Sequence, residues 1–72
     1  MRRIIERTLK SLGVPDHRVT YTLLDKCLHA VISLDLSEKF FRELNKAAER
    51  SKFTYVVNCY DTNRLLINFF RR

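Results

Sequence analysis

Seventy-two residues leave room for one domain, residues 1–72, and a chain this short buries only about 60% of its unfolded surface, which argues against a large internal pocket. Its 14 Lys and Arg against 8 Asp and Glu, a net charge of +6, suit an acidic or polyanionic partner. Two cysteines, two histidines and one glycine argue against a disulfide framework, a zinc module and a phosphate-cradling glycine loop.

Residues 2–12, RRIIERTLKSL, place Ile5, Leu9 and Leu12 within an arc of about 60° on a helical wheel, with Arg3, Arg7 and Lys10 opposite. Gly13 stands where a left-handed C-terminal cap belongs and Pro15 forbids continuation, so the helix is expected to stop near Leu12. Met1-Arg2-Arg3 leads into this amphipathic segment and not into a continuous apolar run, so no secretory signal is expected. No apolar run approaches the length of a membrane span, and the reducing cytoplasm is the expected compartment. With no Ser/Gly/Pro tract or low-complexity segment, the chain reads as a complete short gene product, of a size common in bacteria, phages and plasmids.

From Arg18 the period changes from helical to alternating. Val19, Tyr21 and Leu23 alternate with polar residues, and after Asp25-Lys26 the pattern resumes as Leu28, Ala30, Ile32 and Leu34. Pairing Leu24 with Cys27 across a two-residue turn sets Leu23 opposite Leu28, Tyr21 opposite Ala30 and Val19 opposite Ile32, all on one face, as a hairpin requires. The next segment, DLSEKFFRELNKAAERS, carries full helix signals. Ser37 can cap, Leu36 can staple onto Phe41, and Phe40, Phe41, Leu44, Ala47 and Ala48 form an apolar stripe. In YVVNCYDTNRLLINFF, a three-residue loop Asp61-Thr62-Asn63 with Asn63 left-handed predicts Cys59 opposite Leu65, Val57 opposite Ile67 and Tyr55 opposite Phe69.

The expected fold class is therefore α+β, a two-layer αββαββ sandwich with a four-stranded, mainly antiparallel sheet and both helices on one face. The other face is expected to be open, with Val56, Tyr60, Leu66, Phe70 and Val31 set among Thr20, Thr22, His29, Asn58, Arg64 and Asn68. A contiguous exposed apolar patch of this kind marks an interface. Val56, Tyr60, Leu66 and Phe70 are accordingly the candidate protein-interface residues, with stacking of nucleobases on Tyr60 and Phe70 as a weaker alternative use.

Lys39, Arg42, Lys46 and Arg50 project from the long helix into an arc of about 80°, away from its apolar stripe. They are the candidate surface for nucleic acid or an acidic protein, although Glu43 and Glu49 border them and an i,i+4 pair from Glu38 to Arg42 would make them an ordinary solvated face. Arg2, Arg3, Arg7, Arg71 and Arg72 add to this charge if the two ends of the chain meet. Cys27 and His29 share a strand face, but their spacing matches no zinc module, and Cys59 is expected to point into the helix-covered core. Both cysteines are read as structural, and no metal, cofactor, catalytic group or small-molecule substrate is expected. The reading that follows is a small, basic, non-catalytic interaction protein: a phage or mobile-element accessory factor or inhibitor working through its open sheet face on a protein partner or as a dimer. The second reading is a small nucleic-acid-binding protein using the basic helix face and the arginine-rich termini.

Overall fold

The computed structural model describes residues 1–72. Helix α1 (Arg2–Ser11) is followed by a short 3-10 turn (Asp16–Arg18), strands β1 (Val19–Leu23) and β2 (Leu28–Ile32), helix α2 (Glu38–Ser51), and strands β3 (Phe53–Asp61) and β4 (Arg64–Arg71). The class is α+β, with two helices and a single antiparallel sheet in the order β1-β2-β4-β3. The last strand of the chain thus lies inside the sheet, and β1 and β3 are its edges.

Local chemistry accounts for the element boundaries. In α1, Ile5 and Leu9 are buried, and the helix ends as Gly13 takes φ +91° and donates its N–H to Lys10 O at 3.1 Å. Val14 then donates to Leu9 O at 2.9 Å, and its side chain enters the core. Helix α2 begins where Ser37 Oγ accepts the Phe40 N–H at 3.2 Å. It ends at Lys52, which takes a left-handed φ of 57° and returns its N–H to Ala48 O. No glycine announces that stop, and a lysine there bears the steric cost that glycine avoids.

The hairpin registers expected from apolar alternation are those observed. Val19 faces Ile32, Tyr21 faces Ala30 and Leu23 faces Leu28, and in the second hairpin Tyr55 faces Phe69, Val57 faces Ile67 and Cys59 faces Leu65. The Asp25-Lys26 turn closes with Leu24 N–H donating to Cys27 O at 2.9 Å. The second turn differs from expectation. Asp61 pairs with Arg64, leaving only Thr62 and Asn63 between the strands, and the register shifts between Cys59 and Asp61. The surplus residue, Tyr60, is taken up there, and Asn63 does not adopt a left-handed conformation. The Asp61 carboxylate explains this, because it accepts the Asn63 N–H at 3.0 Å and Arg64 Nε–H at 2.7 Å and so stabilises the tight turn with its side chain.

Thirteen buried residues, all apolar, form one cluster. It joins Ile5 and Leu9 of α1, Phe40 and Leu44 of α2, Leu28 and Ile32 of β2, and Ile67 and Phe69 of β4. Phe69 is central, edge-on to Phe53 with ring centroids 5.7 Å apart and tilted against Tyr55 at 6.2 Å. Cover fades along β3: Phe53 is buried, Tyr55 is half-buried with its hydroxyl 2.6 Å from Asn45 Oδ1, Val57 is 38% exposed, and Cys59 is exposed. The expectation that Cys59 enters the core is therefore corrected. Strand alternation assigns it to the core side, but no helical residue reaches that far along β3.

Candidate functional site

Alternation sends every second strand residue to the side of the sheet away from the buried cluster. Across β1, β2, β4 and β3 these residues run Thr20, Val31, Leu66, Asn58 in one row and Thr22, His29, Asn68, Val56 in the next. Phe70, opposite Thr54, follows at one end. Val56 is 51% exposed, whereas Val31, Leu66 and Phe70 are half-buried by their neighbours on the same surface. Val56 stands diagonal to both Leu66 and Phe70, within reach of cross-strand contact. Three of the four candidate interface residues are thus brought together.

The fourth is separate. Tyr60, 52% exposed, lies at the bulge beside the hairpin tip, where the Arg64 guanidinium stands 4.7 Å from its ring centroid. Arg64 also holds Asp61, so Tyr60, Asp61 and Arg64 form one surface cluster. The hydrogen bond from Arg64 holds the Asp61 carboxyl below its ordinary pKa and raises that of Arg64 itself. Thr54, the partner of Phe70, is six residues from Tyr60 along β3, roughly 20 Å of strand. A pair of rings that far apart does not form a platform for adjacent bases.

At the centre of this surface sits Asn68, flanked by His29 on β2 and Val56 on β3. Its Oδ1 is shielded from solvent and has no hydrogen-bond partner, a condition that costs on the order of 1–3 kcal/mol. The atom is covered by its own neighbours, so what this surface presents to a partner is the apolar group of Val56, Leu66 and Phe70. The pairing of His29 with Asn68 depends on β2 lying beside β4, which no local pattern in the chain encodes.

The basic candidates lie on the solvent side of α2. Lys39, Arg42, Lys46 and Arg50 are all exposed. Lys46 Nζ lies 3.6 Å from Glu43 Oε1, while the other three make no ion pair. The expected Glu38–Arg42 bridge does not form, in keeping with the small net gain of an exposed pair set against side-chain entropy. The terminal arginines divide between two places. Arg2, Arg3, Arg7 and Lys10 line a groove between α1 and β1 that also holds Glu6 and Asp16. Arg71 shares a hollow with Lys52 beside Ile4 and Phe53, and the Arg72 N–H donates to Lys52 O at 3.2 Å. In the groove, Arg2 pairs with Glu6 at 3.1 Å and Lys10 with Asp16 at 3.2 Å, leaving Arg3 and Arg7 without ion pairs.

No group of three or more His, Cys, Asp or Glu side chains is arranged to hold a metal ion, and neither helix is long and apolar enough to cross a membrane. Comparison with family models, curated proteins and solved structures found no match to this chain.

Proposed function

We propose that this chain is a non-catalytic interaction protein of the cytoplasm whose two-layer αββαββ arrangement, with both helices on one side, leaves the other sheet face to engage a protein partner or a second copy. The observation that carries this reading is the half-covered apolar group of Val56, Leu66 and Phe70, which the β3–β4 register brings together on the side of the sheet away from the buried cluster. Docking would bury these apolar side chains. The net charge of +6 would speed approach to an acidic surface. A role as an accessory factor or inhibitor of a larger complex fits a small chain whose sheet face and basic helix face are both exposed; its origin in a phage or mobile element rests on size alone.

The second reading, binding to nucleic-acid backbone through Lys39, Arg42, Lys46 and Arg50, is favoured by the lack of ion pairs at three of the four. Capture from cell extract on immobilised protein separates the two. A partner held by the wild type and by the double variant Lys46→Glu/Arg50→Glu, but lost from a folded Leu66→Asp variant, supports the sheet face. Retention by Leu66→Asp with loss on charge reversal, together with affinity for an oligonucleotide that falls steeply with salt, would overturn it in favour of nucleic acid.

A further inference from the structure

The two edges of the sheet are treated differently. Strand β1 has five residues and lies beside the groove lined by Arg3, Arg7 and Lys10, and the Val19 N–H is already taken by Asp16 O. Short length and flanking charge are the usual guards of an edge. Strand β3 has nine residues, carries no charge from Phe53 to Tyr60, and exposes Val56 and Val57 on opposite sides. Its pairing with β4 fixes which backbone groups are spare. The Arg72 N–H donates to Lys52 O, so the even-numbered residues Thr54, Val56 and Asn58 face β4, whereas Tyr55, Val57 and Cys59 turn their N–H and C=O groups outward.

We propose that β3 pairs antiparallel with β3 of a second copy, edge to edge about a two-fold axis near Val56, to give a continuous eight-stranded sheet. The self-complementarity of the strand argues for a second copy as the occupant. In this register Tyr55 meets Val57 of the other copy on the core side, exchanging both main-chain hydrogen bonds, while Val56 meets its own equivalent and Thr54 meets Asn58 on the open side. The half-exposed Val57 and Tyr55 are thereby covered where α2 leaves them bare. Two chains of +6 repel, and the uncharged strand limits that cost by setting no like charges directly opposite one another. The guarded β1 edges end the assembly at two copies, as an isologous contact requires. A two-fold axis perpendicular to the sheet also keeps both open faces on the same side, although the pairing does not rest on any function assigned to that face.

The test is molar mass by light scattering in reducing buffer, which keeps the exposed Cys59 from linking copies, together with amide exchange. The wild type is expected at twice the 8.6 kDa of the chain, with the Tyr55 and Val57 amides exchanging as slowly as Val56. Val57→Pro removes an N–H that the isolated fold does not use, and Val57→Lys places a charge on the edge. Both are expected to halve the mass with the circular dichroism unchanged, while Leu66→Asp remains a dimer. A wild type that stays monomeric at millimolar concentration would overturn the proposal, as would a dimer that survives both Val57 variants. A dimer lost in Leu66→Asp but retained in the Val57 variants would also overturn it, placing the contact on the sheet face.

Discussion

At the residue scale, Tyr21 shows how an ordinary side chain acquires an unusual environment. Alternation turns it toward the core side of β1, where it is half-buried beneath the start of α1 with the Arg2 guanidinium 5.5 Å from its ring centroid. Burial, joined by the charges of Glu6 and Asp16 and opposed by that of Arg2, pushes its phenol from 10.0 up to about 12. Below pH 10 the phenol is neutral in both folded and unfolded chains, and the contribution of its burial to stability is complete. As the pH rises from 10 toward about 12 the unfolded chain ionises first, so that contribution is lost through this window. Denaturant melts across the window are expected to show stability falling with pH in the wild type and a shallower fall in Tyr21→Phe. Spectrophotometric titration of the three tyrosines is expected to lose its late step, near pH 12, in the same variant. Equal slopes in the two proteins would mean that the ring is open to solvent.

Elements form where local and long-range preferences agree, and the chain shows which of them its sequence announces. Both helices and both hairpin registers were legible because periodicity, the Ser37 cap and the Gly13 stop all point the same way. What stops α2 was not, since Lys52 occupies a left-handed position that glycine would normally signal, although the stretch read as this helix ends at Ser51, where α2 ends. Lys52→Gly is therefore expected to raise stability by about 1 kcal/mol, read as a higher denaturation midpoint, because it relieves the steric cost of φ 57°. A lower midpoint would show that the lysine side chain makes a compensating contact. The bulge at Tyr60 was hidden for a different reason: the Asp61 carboxylate reorganises the turn through its own hydrogen bonds, an effect that propensity at Asn63 does not report. Periodicity assigned Cys59 its side of the sheet, but the reach of α2 decides how far along β3 that side is covered.

At the scale of the whole molecule, the strand order β1-β2-β4-β3 is what turns these elements into surfaces. It sets His29 beside Asn68 and leaves β3 as an edge. None of this was readable from the chain, because a helical crossover between two hairpins permits more than one order and long-range packing chooses among them. Val56, Leu66 and Phe70 were legible as a set since register alone fixes their side. Tyr60 was grouped with them only because alternation continues on paper through a turn that in fact contains a bulge. The basic residues of α2 and the apolar residues of β3 and β4 belong to different elements, so the two candidate interfaces are separately testable on one molecule. The most direct measurement is covalent side-chain footprinting by mass spectrometry, applied to the protein in buffer and again in cell extract. If the sheet face is the binding surface, Val56, Leu66 and Phe70 will be protected in extract while Lys39, Arg42 and Arg50 react as before; unchanged labelling of the three apolar residues with protection of the α2 stripe would contradict it.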